Sequence, residues 1–454
     1  MRYYIDPFGC VKNQVDAEMI MSLLDSARWT RTENPETADV IIINSCGFVE
    51  SAKQESINAV LAHKKNYPDK KIVLAGCLAQ RYAEELSEAL PEVDLFFGNR
   101  DISHVNSALS SVFEKNIHVK KTLVSNTISE IDFISGKRPL LSLAGSAYVK
   151  ISEGCNNRCS FCAIPQIRGQ LVSRPISGIV AECKDLLNRG IKELCIIGQD
   201  LGSYLKDKNN NECALTELLS ELSKLEGQFW VRLLYIHPDN FPFSVLEVMK
   251  SDSRFLPYFD LPFQHGSEKI LRAMNRKGNS ASYLELIERI RSVLPDVVLR
   301  STFLVGFPGE TDEDFQSLLD FQEKARLDWA GAFTYSREEN TVAYSMKGRV
   351  SKSVAQKRKE TIEEKQSVIT EKQIERFIGR TLDVLIEESV VNEDGLYLGR
   401  LFCHAPEIDG SALIFSSDNL ELGSFESCKV LARSGLDLQV KVVKQQRTID
   451  LYSQ

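Results

Sequence analysis

The chain has no long apolar run. Nowhere do 18 or more apolar residues follow one another, so the sequence offers no membrane span. Its start, Met1-Arg-Tyr-Tyr-Ile-Asp-Pro-Phe-Gly9, shows no apolar core of a secretory leader. Basic charge is not in excess: 55 Lys and Arg stand against 63 Asp and Glu, a formal net charge of −8, so a broad nucleic-acid-binding surface is not expected. There is no P-loop, no nucleophile elbow, no internal repeat and no low-complexity tract. His63, His104, His118, His237 and His404 form no cluster. What the sequence does have is cysteine, 11 in 454 residues. The expected compartment is the reducing cytoplasm, where cysteines serve metal, redox chemistry or plain burial rather than disulfides. The length suits two to four domains.

Three of these cysteines lie in Ile151-Ser-Glu-Gly-Cys-Asn-Asn-Arg-Cys-Ser-Phe-Cys-Ala-Ile-Pro165, spaced C-x3-C-x2-C. Cys155, Cys159 and Cys162 can hold three irons of a cubane iron–sulfur cluster. No fourth cysteine follows nearby, which leaves one iron open. That is the arrangement a radical enzyme needs when S-adenosylmethionine must chelate the cluster and be cleaved by it. A zinc knuckle is the competing reading; it wants four ligands, and the loop offers no second pair and no close histidine.

Strand and helix signals alternate over residues 1 to about 110. Strands are expected at Arg2–Asp6, Val40–Ile43, Lys71–Ala75 and Leu95–Phe97, with helices at Asn13–Ala27, Ser51–Lys65 and Gln80–Leu90. This alternation predicts a doubly wound parallel sheet. Cys10, Cys46 and Cys77 each follow one of the first three strands, 36 and 31 positions apart, with Gly9, Gly47 and Gly76 beside them. Ligands of open α/β sheets bind just beyond the carboxyl ends of the strands, so the three thiols can converge into a second metal site. Burial as three small hydrophobes is the alternative.

After a connection over 112–145, ending in Ser135-Gly-Lys-Arg-Pro139 and Gly145, β/α alternation resumes. Six strands are expected, at Ala147–Ile151, Glu193–Ile197, Trp230–Ile236, Phe259–Pro262, Val298–Phe303 and Gly331–Tyr335. They predict an incomplete (β/α)6 barrel with its chemistry at the carboxyl ends. Gln199 and Asp200 end the second strand, where a polar pair can meet the amino group of a bound methionine moiety. A glycine with a capping Asp is the plainer reading. Thr302-Phe-Leu-Val-Gly-Phe-Pro-Gly-Glu310 ends the fifth strand. Gly306 and Gly309 permit close backbone approach to a ligand, or simply form a turn before a helix start. Gln264 and His265 end the fourth strand, the histidine either structural or on the reactive face. Cys183 and Cys195 read as core, and Cys213, Cys403 and Cys428 as incidental. Lys352–Arg376 reads as a solvated connecting helix. From about 378, short strands with turn signals predict a small OB-like β-barrel.

The C-x3-C-x2-C loop, the three strand-end cysteines and the terminal small barrel together resemble the radical S-adenosylmethionine methylthiotransferases over essentially the whole length. The resemblance implies an N-terminal methylthiotransferase domain (1–135), a radical barrel (141–370) and a TRAM domain (378–454). It implies two 4Fe–4S clusters, held by Cys155, Cys159 and Cys162 and by Cys10, Cys46 and Cys77. It also implies S-adenosylmethionine contacts at Phe161, Gln199, Asp200, Thr302, Gly306, Gly309 and Glu310. Gly9-Cys-Val-Lys-Asn-Gln-Val-Asp16, Cys46-Gly-Phe-Val-Glu-Ser-Ala-Lys-Gln-Glu-Ser56, Gly76-Cys-Leu-Ala-Gln-Arg-Tyr82, Pro91-Glu-Val-Asp94, Cys162-Ala-Ile-Pro-Gln-Ile-Arg-Gly169 and Ala405-Pro-Glu-Ile-Asp-Gly410 look like the branch that modifies an aspartate β-carbon of ribosomal protein uS12. The tRNA-adenosine branch is the same-class alternative, and a non-catalytic iron–sulfur protein that binds ribosomes is the alternative from another class. From Ile378 onward 12 acidic residues face 7 basic ones, a balance of −5. An RNA grip should be basic, whereas an acidic barrel suits a basic protein partner such as uS12. An electron donor is implied, with no membrane and no required nucleic-acid contact. Val172, Leu201, Gly202 and Asn340 depart from the family's usual residues.

Overall fold

The computed structural model describes residues 1–114, 122–128, 138–391 and 393–443. The expected domain end at 135, Ser135-Gly-Lys of the connection, His118, and the terminal charges Lys444, Arg447 and Asp450 lie outside the described residues.

The first sheet is parallel and six-stranded, in the order β2-β1-β3-β4-β5-β6. Its strands are β1 (Arg2–Pro7), β2 (Thr30–Arg31), β3 (Val40–Ser45), β4 (Lys71–Gly76), β5 (Leu95–Phe97) and β6 (Thr122–Leu123). The apolar run of β3 explains the double winding. Val40 and Ile42 face α1 (Val11–Ser26) and α4 (Val105–Ser111), while Ile41 and Ile43 face α2 (Glu50–Asn66) and α3 (Cys77–Ala89). Successive side chains of a strand point to opposite faces, so a strand apolar at every position must be covered on both. The two-residue edge strands β2 and β6 carry no pattern of their own in the sequence.

The second sheet is also parallel and six-stranded, in the order β14-β13-β12-β11-β10-β7. It comprises β7 (Ser146–Lys150), β10 (Glu193–Ile197), β11 (Trp230–Leu233), β12 (Phe255–Asp260), β13 (Val298–Val305) and β14 (Trp329–Thr334). Between β7 and β10 lies an antiparallel pair, β8 (Ser152–Glu153) with β9 (Val172–Ser173), which encloses the C-x3-C-x2-C loop and the short helix α5 (Ile164–Arg168). Helices α6 (Ile176–Asn188), α7 (Leu215–Leu222), α8 (Val245–Ser251), α9 (Glu268–Ala273), α10 (Ser280–Val293) and α11 (Asp312–Ala325) follow in turn. Ala147, Val149, Leu194 and Ile196 pack outward with Cys183 of α6, and Tyr148, Cys195 and Ile197 pack inward. Cys183 and Cys195 are fully buried core, as their sequence context predicts.

The fourth barrel strand starts at Phe255, four residues before the expected Phe259. Pro257 interrupts the apolar run, because proline cannot donate to a ladder. The structure accommodates it at a register shift: Val231 pairs with Phe255 and Leu233 with Phe259. Helix α12 (Lys352–Ile374) is not merely solvated. Ala355, Arg358, Ile362, Gln366, Thr370 and Ile374 are buried at helical spacing, and Gln366 and Thr370 donate to the carbonyls of Leu327 and Asp328. Half of this face is polar, so its apolar periodicity is weak in the sequence.

The third unit is a closed five-stranded barrel, β15-β16-β17-β19-β18. Its strands are β15 (Thr381–Ser389), β16 (Leu396–Arg400), β17 (Ala412–Phe415), β18 (Phe425–Ser434) and β19 (Asp437–Val442). It sits on the amino ends of the radical-barrel strands. Arg400 pairs with Glu193 and donates to Ser146 (2.8 Å), Trp230 packs on Phe425 (4.6 Å), and Trp329 donates to the carbonyl of Cys403 (2.8 Å). Among the described residues no helix is long and apolar enough to cross a membrane.

Candidate active site between the two cysteine sets

The loop that follows β7 is pinned on every side. The Cys155 amide donates to Gly169 (3.2 Å) and the Cys162 amide to Cys159 (3.1 Å). The Ser160 amide donates to the carbonyl of Met274, and the Ser160 carbonyl accepts from Ala343. Asn157 donates to Asp200 (2.8 Å). Asp200 also accepts from Asn240, Ser203 and the amides of Gly202 and His237, so both its oxygens are engaged in tying this loop to the ends of β10 and β11. Beside it, Gln199 donates to Glu153 (2.9 Å) while its Oε1 is buried without a hydrogen-bond partner. Phe161 packs with Phe307, Ile270 and Met274, which brings the 306–310 turn to the same end of the barrel. Thr302 accepts at its carbonyl from the Gln264 amide (2.9 Å). Gly306 adopts φ +74, and a Cβ there would meet Ala355 at 2.5 Å; Gly309 adopts φ +84. Glu310 accepts from the Phe307 amide and from Arg358 (2.9 Å), linking the turn to α12. His265 is fully buried and accepts from the Ser267 amide, and burial pushes its imidazole down to about 3. It is a neutral structural acceptor.

The strand-end turns that carry the second set lie side by side. A Cβ on Gly9 would come 3.1 Å from Cβ of Cys46, and one on Gly47 would come 2.7 Å from the carbonyl of Cys77. Cys10 is exposed, Cys46 half-buried and Cys77 buried. Asn99 donates to the Cys77 sulfur (3.2 Å), and Asn13 braces the site by donating to the carbonyls of Ser45 and Phe8.

Burial sets the thiol chemistry. It pushes Cys155 and Cys162 up to about 12, raises Cys159, pushes Cys77 up to about 12 and raises Cys46. Half-buried thiols so resistant to ionisation suit groups whose proton is displaced by a metal rather than by solvent. Arg276, buried beside Cys159 with its Nε unpartnered, offers a donor toward the same loop. Among the described residues no three His, Cys, Asp or Glu side chains are grouped for one metal ion. A cubane binds its three thiolates through three different irons and so spaces them more widely. By their number, burial and donors, both sets fit such a group.

The two sets meet through a buried network that sequence reading did not find. Arg168, at the end of α5, donates to Glu153 (3.0 Å), Asp16 (2.9 Å), Asn13 (2.5 Å) and the Cys77 sulfur (3.4 Å). Lys150 donates to Asp16 (2.5 Å) and Glu153 (2.6 Å). Burial favours the protonated form of Glu153, but Arg168 and Lys150 outweigh it and hold the carboxyl down at about 2. Cys77 packs directly on Ala163 and Ile167 of the radical loop. Lys12 stands two residues after Cys10 with its ammonium 3.0 Å over the Tyr235 ring. His237 lies 3.9 Å from the Cys159 sulfur, its imidazole pushed down to about 4 by burial and by Arg276. The available signal was the spacing of Asn13 and Asp16, i and i+3 on the first turns of α1, which puts both on one face. Of the departures, Asn340 adopts φ +60, a conformation asparagine tolerates, and its carbonyl accepts from Gln166 (2.6 Å). Leu201 is fully buried in the barrel core.

Sequence profiles match in three places: uncharacterized protein family UPF0004 over residues 2–98, the radical SAM superfamily over 149–321, and a TRAM domain over 378–443. The chain is 45% identical to the ribosomal protein uS12 methylthiotransferase RimO of Treponema denticola, covering 97% of this chain and all of that one. It is 41% identical to the protein of the same name in Carboxydothermus hydrogenoformans, over 93% and 95% of the two chains. Among solved structures, the radical S-adenosylmethionine methyltransferase TsrM of Kitasatospora setae superposes with a TM-score of 0.54 at 12% identity, over 75% and 73% of the chains. The cobalamin-dependent enzyme OxsB does so at 0.51 and 15%, over 80% and 56%. At such identities these structures speak for the fold alone.

Proposed function

The chain belongs to the ribosomal protein uS12 methylthiotransferase family, and from that premise we propose that it adds a methylthio group to the β-carbon of an aspartate in uS12. In this reading Cys155, Cys159 and Cys162 hold one 4Fe–4S cluster in the radical barrel (141–370), and Cys10, Cys46 and Cys77 hold a second in the N-terminal domain (1–135). The single observation that carries it is the physical junction of the two cysteine sets through Arg168 and the Cys77–Ala163–Ile167 contact. When bound, the clusters and S-adenosylmethionine supply reductive cleavage, radical abstraction of hydrogen from an unactivated carbon, and the sulfur to be transferred.

The chain's own residues bind, orient and enclose. Asp200 fixes the Cys155–Cys162 loop through Asn157. Gln199 keeps a buried acceptor, Oε1, at the end of β10 for an ammonium such as that of the methionine moiety. Gly306 and Gly309 let the turn before Glu310 bring its backbone close to a ligand, and Phe161 and Thr302 stand at the same end of the barrel. Arg168 and Lys150 neutralise Asp16 and Glu153 and hold the two sites in one geometry. A reacting carbon held between them is the near-attack arrangement that group transfer needs.

The TRAM domain (378–454) is a second grip. It stands at the barrel mouth opposite the cysteines, and Glu388, Glu393, Asp394 and Glu421 are exposed on it. Its acidic face steers a basic ribosomal protein without touching the reacting atoms. An electron donor completes the cycle.

The test is anaerobic reconstitution followed by turnover with S-adenosylmethionine, reductant and a peptide of the uS12 loop. A loading of about eight irons per chain and a methylthio increment on the peptide's aspartate are expected. Loading that stops near four irons removes the second cluster. An increment on tRNA nucleosides and none on the peptide selects the tRNA reading, and cluster binding without 5′-deoxyadenosine selects a non-catalytic protein.

A further inference from the structure

Among the described residues most cations near the junction of the two cysteine sets are engaged by another group; the exceptions are Arg158, exposed on the Cys155–Cys162 loop, and Lys12. Arg168 is shared by Glu153, Asp16, Asn13 and the Cys77 sulfur, and Lys150 by Asp16 and Glu153. Arg300 is taken by Asp260 at 3.2 Å and Asp409 at 3.4 Å. Arg276 donates to the carbonyl of Pro262 and leans on Cys159. Lys12 differs. It opens α1 from the N-terminal domain and reaches across to the end of β11, where its ammonium rests 3.0 Å over the Tyr235 ring. It makes no hydrogen bond and no ion pair with any described residue. A ring face attracts a cation but accepts no charge, so the ammonium keeps its donors for something else. As a residue Lys12 is half-buried.

We infer that Lys12 is a specificity-determining residue whose ammonium receives the carboxylate of the substrate aspartate at the junction of the two cysteine sets. This rests on the uS12 reading and deepens it, because it says how a carboxylate is selected over a neutral side chain. A substrate carboxylate entering an enclosed site loses its water and must find a counter-charge. Arg168, Lys150 and Arg300 are already held by Asp16, Glu153, Asp260 and Asp409, and the unpartnered Nε of Arg276 is buried beside Cys159, whereas the unpaired ammonium of Lys12 gains a charge-assisted hydrogen bond on binding. The Tyr235 ring fixes the direction of approach. The carboxylate is one bond from the β-carbon, so anchoring it places that carbon to within an ångström or so, the tolerance that oriented reactions require. Asparagine has the same shape and no charge, and would leave the ammonium as it is without substrate.

The experiment compares peptides with Asp or Asn at the target position, on reconstituted wild-type, Lys12→Met and Lys12→Arg proteins of equal iron content. It reads kcat and KM for the Asp peptide and the inhibition constant of the Asn peptide. In the wild type the Asp peptide is favoured over Asn by roughly 30-fold or more, the size of a lost charge pair. Lys12→Met brings that preference close to unity, with the loss for the Asp peptide mainly in KM. Lys12→Arg, which keeps the charge, retains most of it. A Lys12→Met protein that still prefers Asp as strongly as the wild type overturns the assignment. So does a Lys12→Met protein that loads only half the iron while Lys12→Arg loads fully, since the charge then serves the Cys10 site instead. If the wild type modifies no aspartate peptide, it is the uS12 reading that has failed, and the assignment falls with it.

Discussion

Replacing Arg168 by Met tests whether the buried quartet of Asp16, Glu153, Lys150 and Arg168 joins the first two domains. The four side chains carry two charges of each sign, and each is less than a tenth exposed. Removing the guanidinium leaves two carboxylates sharing Lys150, a buried charge of −1. Breaking a buried pair costs about 3–5 kcal/mol. Lys150 stays within 2.5 and 2.6 Å of the two carboxylates, which points to the lower end. The Glu153 carboxyl gives the same scale: held at about 2 against an ordinary 4.5, it accounts for about 3 kcal/mol at ~1.4 kcal/mol per tenfold. Spread over roughly 370 residues with an unfolding entropy of ~2.1 cal/mol/K each, this lowers the melting temperature by about 4 °C. Differential scanning fluorimetry of the reduced, iron-free protein at neutral pH reads it. The companion variant adds Asp16→Asn, which restores neutrality, and should recover more than half of the loss. A single variant that melts within about 1 °C of wild type, or a double variant whose losses simply add, refutes the reasoning.

Gly47→Ala should displace Cys46 and Cys77 together, because the new Cβ lies 2.7 Å from the Cys77 carbonyl; iron analysis after reconstitution should fall from about eight toward four per chain while the radical cluster's spectrum persists. Glu338 accepts from Arg81 (2.5 Å) and Lys53 (3.3 Å) and clamps α3 and α2 to the segment after β14. Glu338→Gln should weaken this clamp by about 2 kcal/mol, read as roughly 30-fold faster hydrogen exchange around residues 47–56. Docking of the small barrel should depend on pH in two opposite ways. Burial favours the protonated form of Glu193, but Arg400 and Arg232 hold it down at about 2, so its contribution is complete above about pH 4.5 and is lost as pH falls toward 2. Burial pushes Asp409 up to about 6 despite Arg300, so its contribution is complete below about pH 4 and is lost as pH rises through 6. Limited proteolysis of the 374–380 connection should therefore be slowest near pH 4–5; a rate that only rises between pH 3 and 8 would contradict the Glu193 assignment, and one that only falls would contradict that of Asp409.

Where the sequence carried a period, it carried the fold. β3, β4 and β10 are short uninterrupted apolar runs, and their ends placed Cys46 and Cys77 because a parallel strand can return only through a helix. The cysteine spacing needed no tertiary information at all. The pieces it could not show are those whose partners are remote. β2, β6, β8 and β9 are two residues long and exist only because a neighbour pairs with them. Arg168 was visible as one residue of a motif, but its partners come from position 13, 16, 77 and 153, and no local pattern joins them. Lys12 likewise reads as an ordinary surface lysine of a first helical turn until β11 brings Tyr235 beneath it.

The quartet at the domain junction also bears on how such a protein can be inherited. Asp16 and Asn13 belong to the N-terminal unit, while Lys150, Glu153 and Arg168 belong to the barrel, and neither half is neutral alone. Recombination that imports one unit from a distant relative therefore imports half of a charge balance, and the hybrid is burdened unless the complementary residues travel with it. The N-terminal and radical-barrel halves should accordingly descend together, with substitutions at 13, 16, 150, 153 and 168 arising in step, while the turns around them drift one residue at a time.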